Sequence, residues 1–363
     1  MNDRNLSSVI DAWWIALLTL AALGLLFWAH VRYWTRKLGC TMSYADVRAI
    51  RTKDGATIEL RRLLQNRPST LPPVLLVHGL GANHRNVDLH PESSLARHLH
   101  AAGRDVWLLT LRSGRNQDWG KQRLVRFAAM VDHDVPLAVQ TVLDETRSRT
   151  VDYVGFSMGG MLLYACLGNT IDGSTFRRVC TIGSAGRIAL RYRWMKPLLL
   201  LPRWALPSLR LRLSSRATAF IATIVRTPLH GLVCNPHNLH PRFTKVAMVN
   251  LVEDIPAALG ADFLEWMRTD VEITVNGESA LARVRDASAP ALFFAGKADQ
   301  LAPAHAVEAV YEAWGASTST RKEYILLSKD NGHAANYGHG DMAVGPHVIE
   351  DIFQPIERFL AEV

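Results

Sequence analysis

The chain has 363 residues, of which 48% are hydrophobic and 20% charged, and its formal charge is +8. That length holds one large α/β domain plus an insertion, and the composition excludes a disordered or repetitive chain. Cys40, Cys166, Cys180 and Cys234 stand far apart, without metal-ligand or redox-motif spacing, which predicts free thiols in a reducing compartment and no metal site.

The first element is Ala12 to Ala29, an uncharged run of eighteen residues. It meets the lower length limit for a helix spanning the hydrocarbon core of a bilayer. Trp13, Trp14 and Trp28 mark its ends, with Tyr33 and Trp34 just beyond, as interfacial anchors do. A cleaved signal peptide fits less well. The preceding segment sets Arg4 against Asp3 and Asp11, and no small-residue cleavage site follows. Residues 1–40 are therefore expected to be a membrane anchor and juxtamembrane segment. Arg32, Arg36 and Lys37 after the run outnumber Arg4 before it, which places the remainder of the chain on the cytoplasmic side.

Tyr44 to Thr52 and Thr57 to Leu63 flank Lys53-Asp54-Gly55-Ala56 and predict a hairpin. Short apolar runs follow at Pro73–Val77, Val106–Leu109, Val151–Val154, Val179–Ile182, Ala291–Ala295 and Tyr324–Leu327. Solid runs of this length suit strands covered on both faces of a parallel sheet. Helical patterns lie at Val131–Thr146, Met158–Leu167, Ala304–Trp314 and Val348–Leu360. The alternation predicts an open, mostly parallel sheet flanked by helices.

It breaks once, between Ile182 and Ala291. That stretch is helix-prone and rich in Leu and Arg, and it predicts a helical cap at 187–285 dividing a core of 41–186 and 286–363. An insertion there lies over the carboxyl ends of the strands, where such sheets bind ligands. From Arg187 to Val252 there are eleven Lys and Arg and no acidic residue, so the rest of the chain is net −3. Interleaved aromatic and apolar residues (Arg191-Tyr192-Arg193-Trp194, Leu198 to Leu201, Arg203-Trp204) suit a lipid surface better than nucleic acid.

Gly155-Phe156-Ser157-Met158-Gly159-Gly160 joins an expected strand to an expected helix. A serine on so sharp a turn needs flanking glycines, and it presents its hydroxyl as a nucleophile. The following helix start directs the Met158 N–H at developing negative charge. His78-Gly79-Leu80-Gly81 ends an earlier strand, so the Leu80 N–H is the expected second oxyanion donor. A serine nucleophile needs a base, and the base needs an orienting acid. Asp299, in the loop after Ala291–Ala295, is the expected acid; Asp286, Asp330 and Asp341 are alternatives, and an N-cap is its structural rival. His339 is the preferred base over His333 and His347. The order Ser157, Asp299, His339 is the one that accompanies such an elbow. His100 and Asp105 match an acyltransferase spacing by chance, at a helix-to-strand turn. No P-loop, H-E-x-x-H or dinucleotide motif stands out, so no cofactor is expected.

From about Tyr44 to the C-terminus the chain resembles the α/β-hydrolase superfamily. Tyr337-Gly338-His339-Gly340-Asp341-Met342-Ala343-Val344-Gly345 resembles the histidine loop of acid-type lipases, where tyrosine and aspartate each lie two residues from the histidine. Phe156 stands where many relatives carry histidine. The resemblance implies an α/β-hydrolase fold, an oxyanion hole and ester hydrolysis, with His339 as base. With an anchor and an apolar cap, the expected substrate is a hydrophobic acyl or lipid ester. Thioesterase, transacylase and lactonase chemistry use the same triad, and a non-catalytic membrane-tethered binding protein is the rival of another class.

Overall fold

The computed structural model describes residues 3–65, 69–115, 119–188, 200–225, 228–269 and 272–362. Eight strands form one sheet: β1 (Asp46–Arg51), β2 (Thr57–Leu63), β3 (Val74–Val77), β4 (Val106–Thr110), β5 (Val151–Phe156), β6 (Phe176–Ile182), β9 (Ala291–Gly296) and β10 (Lys322–Leu327). Their spatial order is β1-β2-β4-β3-β5-β6-β9-β10. The hairpin β1–β2 and the β2–β4 pair are antiparallel; every pair from β4 to β10 is parallel. This is the expected opening hairpin followed by a parallel sheet, an α/β-hydrolase fold. Each of the six short apolar runs after the hairpin became a strand; β3, β4, β5 and β9 are buried along their whole length, while the edge strand β10 is mostly half-buried.

Alternate residues of those strands feed two cores. Leu75, Val77, Trp107 and Phe293 pack with the helices Val135–Thr146, Met158–Cys166 and Ala304–Ala313 on one face. Leu76, Leu108, Val154 and Phe294 pack with Leu95–Ala101 and Gln354–Ala361 on the other. Two helices depart from their expected starts. The turns Met130–Asp134 and Ile349–Phe353 are π-helical, each just before a helix with proline in its first turn, Pro136 and Pro355. Proline has no N–H to continue the ordinary ladder, and the wider turn accommodates its ring.

Between β6 and β9 the described residues form the helices Leu211–Thr218, Pro228–Val233, Phe243–Asn250 and Ala257–Thr269, then the small hairpin β7 (Thr274–Val275) and β8 (Glu278–Ser279). Arg191-Tyr192-Arg193-Trp194 and Leu198 lie outside the described residues. Leu200 and Trp204 are 85% and 87% exposed. At the other end of the chain a 36-residue helix, Asp3–Leu38, carries the apolar run. Trp13, Trp14, Leu18, Leu25 and Leu26 are all exposed, so the helix is not a core element. Among the described residues it is the one helix long and apolar enough to cross a membrane. Its final turns rest on the inserted helices. Trp34 stacks on Phe220 at 5.4 Å, and Asn250 Nδ2 donates to the Leu38 carbonyl at 3.0 Å.

Arg112, in the loop after β4, ties the hairpin to the body. Its side chain is fully buried and donates to Asp134 Oδ1 (Nε, 2.8 Å), Asp54 Oδ1 (3.0 Å) and the Leu124 carbonyl (2.9 Å). Asp134 is buried as well, and burial pushes its carboxyl up despite the guanidinium beside it. Removing one partner of such a pair leaves an uncompensated charge, which outweighs any loss of packing. Arg112→Met is expected to lower the unfolding free energy by about 3–5 kcal/mol in denaturant titration, with Asp134→Asn in the same chain recovering part of the loss.

Candidate active site

Ser157 stands where β5 turns into the helix Met158–Cys166, with φ 51° and ψ −118°. A non-glycine residue held there costs on the order of 1–3 kcal/mol, and the surroundings must enforce it. They do so by close approach. A Cβ on Gly155 would run into the Gly160 backbone nitrogen, and one on Gly159 into the Val77 carbonyl oxygen. The Ser157 N–H donates to the Ile182 carbonyl at 2.8 Å, which seats the turn on the end of β6. Ser157 itself is left partly exposed.

The loop after β3 passes directly alongside. A Cβ on Gly79 would lie 3.1 Å from Ser157 Cβ, so only glycine fits there without displacement. The Gly79 N–H is held by Asn86 Oδ1 at 3.0 Å. His78 fixes the same loop from beneath. The Leu111 N–H donates to its Nε2 at 3.0 Å, so its proton sits on Nδ1 and is donated to the Gly79 carbonyl at 2.8 Å. Among the described residues neither the Leu80 N–H nor the Met158 N–H has a protein acceptor. Met158 is the first residue of its helix, whose opening N–H groups have no intrahelical partner.

Asp299 and His339 come together from the ends of β9 and β10. His339 Nδ1 lies 2.7 Å from Asp299 Oδ2, with both groups buried. An ionised carboxylate only accepts, so Nδ1 carries the proton and Nε2 is left as the basic nitrogen. The rival reading of Asp299 as a helix N-cap is not realised: its other oxygen, Oδ1, accepts the N–H groups of Leu301 and Ala302 at 2.8 Å each, within the loop. The helix Ala304–Ala313 itself starts at Pro303 without a side-chain cap. The imidazole reaches the serine turn, packing edge-on against Phe156 at 5.3 Å and over Gly183, whose Cβ position lies 3.3 Å from its Nδ1.

The alternatives lie elsewhere. Asp286, Asp330 and His347 are exposed, and His333 sits in the turn after β10 beside Ser328. Asp105 is paired with Arg62 at 2.6 Å, a structural contact. Asp341 is buried and accepts from Asn235, Asn238 and Gly338 rather than facing the imidazole. The supporting roles of His78, Asn86, Asn235 and Asn238 were not anticipated. The histidine-glycine pair at the end of β3 was the one signal available for the first of them.

His78 makes the stability pH-dependent. Burial depresses its folded pKa from 6.5 to about 4, and the Leu111 N–H occupies the nitrogen that a second proton needs. The unfolded chain takes up that proton below pH 6.5 and the folded chain does not until about pH 4, so stability falls as pH drops through that window. Between pH 7 and 4.5 the His78 contribution is a loss of about 2–3 kcal/mol. Denaturant titrations across this range are expected to show a shallower slope for His78→Gln than for wild type, even though the variant starts less stable.

Comparisons with known proteins agree with the α/β-hydrolase fold. The family model for serine aminopeptidase S33 matches residues 70–327. Human gastric triacylglycerol lipase is 30% identical over 125 residues, 30% of this chain and 31% of that protein. The tear acid lipase-like protein of Mesocricetus auratus is 26% identical over 201 residues, 51% of this chain and 49% of its own. The matched stretch thus spans half or less of these curated relatives. A solved membrane phospholipase A, described as a bacterial virulence factor, superposes with a TM-score of 0.53 at 17% identity, covering 95% of this chain and 96% of that one. A family match over most of the sheet, with the elbow serine inside it, establishes that the chain belongs to the serine aminopeptidase S33 family of α/β hydrolases.

Proposed function

We propose that the protein is a membrane-anchored serine hydrolase that cleaves hydrophobic carboxylic esters. The observation that carries this reading is the buried His339–Asp299 pair at 2.7 Å, next to a serine held at positive φ. Ser157 attacks the ester carbonyl while His339 Nε2 takes its proton. Asp299 holds the imidazole tautomer and stabilises its charged form. The Leu80 and Met158 N–H groups bind the oxyanion, His339 protonates the leaving alcohol, and water releases the acid from the acyl-enzyme. Lipase relatives and the exposed apolar residues of the 187–285 segment, which we take as the cap, support a long acyl chain over a small polar ester.

Incubation with p-nitrophenyl esters from acetate to palmitate tests this. Activity is expected to rise with chain length. Ser157→Ala and His339→Ala are each expected to lower kcat at least about 10⁴-fold, and Asp299→Asn by a similar factor. A preference for acetate would remove the lipid argument and keep the esterase. A serine that reacts with a fluorophosphonate but turns over no ester would point to thioesters or acyl transfer instead, and an unreactive serine to a non-catalytic binder.

The anchor reading rests on the exposed apolar helix Asp3–Leu38, and the Arg32, Arg36 and Lys37 flank puts the hydrolase domain on the cytoplasmic side. Washing isolated membranes with alkaline carbonate is expected to leave the protein in the pellet. Release into the supernatant would exclude a spanning helix.

A further inference from the structure

The histidine loop is held in place by the inserted segment. Gly338 and Gly340 flank His339; Gly338 packs on Cys234 and Asn235, and Gly340 on Cys234 and Val233: a Cβ on Gly338 would lie 2.7 Å from the Cys234 carbonyl carbon, and one on Gly340 would lie 2.6 Å from Cys234 Sγ. The backbone is pinned on either side of the imidazole. The Gly340 N–H donates to the Val233 carbonyl at 2.7 Å, and the Gly338 N–H donates to Asp341 Oδ2 at 3.0 Å. Asp341 closes the arrangement. Its Oδ1 accepts the Asn235 N–H at 3.0 Å and its Oδ2 also accepts Asn238 Nδ2 at 2.7 Å. Asn235 Nδ2 returns a bond to the Asn336 carbonyl at 2.6 Å. Asp341 is fully buried and Asn238 is 2% exposed, so water does not replace these partners.

We propose that Asp341 and Asn238 are positioning residues that set the His339 imidazole by tying its loop to the inserted segment Val233–Asn238. The inference rests on the proposed roles of Ser157 and His339. It adds that the insertion is part of the catalytic geometry and not only a cover: Val233–Asn238 cannot lift away without freeing the Gly340 N–H and stripping two donors from Asp341, whose carboxylate holds Gly338. The chemistry of the pair is one-sided, because every group facing Asp341 is a donor. An amide at 341 would turn an NH₂ group towards Asn238 Nδ2 and the Gly338 N–H. An acid at 238 facing an amide at 341 restores a donor–acceptor contact with the roles exchanged.

The test uses the full-length protein in detergent. It measures kcat and KM on the best p-nitrophenyl ester, the rate of fluorophosphonate labelling and the final labelled fraction, which counts competent serines. Asn238→Ala is expected to lower kcat and the labelling rate together by about 10–100-fold, with KM within about twofold and full labelling at long times. Asp341→Asn is expected to lose more, and Asn238→Asp combined with Asp341→Asn to regain at least about tenfold of that loss. A merely structural role would lower the labelled fraction or the melting temperature and leave kcat per labelled serine unchanged, and that result in Asn238→Ala overturns the proposal. Failure of the exchanged pair to regain rate, with full final labelling, overturns it too. Absence of labelling in the wild type would instead overturn the serine-hydrolase reading and this inference with it.

Discussion

The site depends on how closely three stretches of backbone approach one another around Ser157. The strand end at Gly155, the helix start at Gly159 and Gly160, and the loop at Val77–Gly79 are packed so tightly that a methyl group on Gly155 or Gly159 meets backbone. That contact allows the chain to reverse at a residue with φ 51°, a conformation that an isolated serine avoids. The strain is small beside the burial of the surrounding sheet, where β3, β5 and the helix Met158–Cys166 are wholly covered. The partial exposure of Ser157 and the unengaged N–H of Met158 both follow from the sharpness of that turn.

Polar groups are then added where the packing leaves room, and each histidine has its ring proton placed by its neighbours. His78 is enclosed as a neutral ring, with an N–H donor on one nitrogen and a carbonyl acceptor at the other. His339 has a carboxylate at Nδ1, which fixes the proton on that nitrogen. The two histidines follow different strands of one sheet and share a tautomer, but one Nδ1 faces a carbonyl and the other a carboxylate. Only the identity of the facing atom distinguishes them, and a residue count along the sequence does not contain it.

This explains what was legible in the sequence. Strands buried on both faces betray themselves as solid apolar runs, so all eight strands of the main sheet fall where such runs or the alternating hairpin pattern place them. The elbow is legible because glycine spacing is a local steric requirement. The contact between Asp299 and His339 is legible because each follows a strand in the order that accompanies an elbow serine. The π turns before Pro136 and Pro355 were missed, although both prolines are plain in the sequence, because apolar periodicity runs through them unbroken. The contacts of Asn83, Asn235 and Asn238 were not legible at all. Asn83 Nδ2 donates to the Asn250 carbonyl at 3.0 Å and to Glu253 Oε1 at 2.7 Å, across more than 160 positions. An asparagine in a loop carries no local sign of so distant a partner.

Those distant contacts share a feature: the segment between β6 and β9 grips both sides of the serine. Val233–Asn238 holds the histidine loop. Further along, the Glu253 N–H donates to the Gly81 carbonyl at 2.8 Å, beside the bridge between Ala82 and Val252, and so holds the loop that carries the Leu80 N–H. Asn250 lies between these two grips and is also where the N-terminal helix is fastened. Its Nδ2 donates to the Leu38 carbonyl at 3.0 Å, its Oδ1 accepts the Cys40 N–H at 3.1 Å, and its own carbonyl accepts from Asn83. Arg85 Nη2 adds a bond to the Cys40 carbonyl at 2.9 Å. The end of the apolar helix and the loop that carries Leu80 are thus joined through one asparagine by short hydrogen bonds, although Leu38 and Leu80 stand 42 positions apart in the chain. A helix attached only by a flexible linker would leave the site's orientation to chance. A helix fastened at Asn250 gives the site a fixed bearing relative to that helix, and with it relative to any bilayer the helix spans.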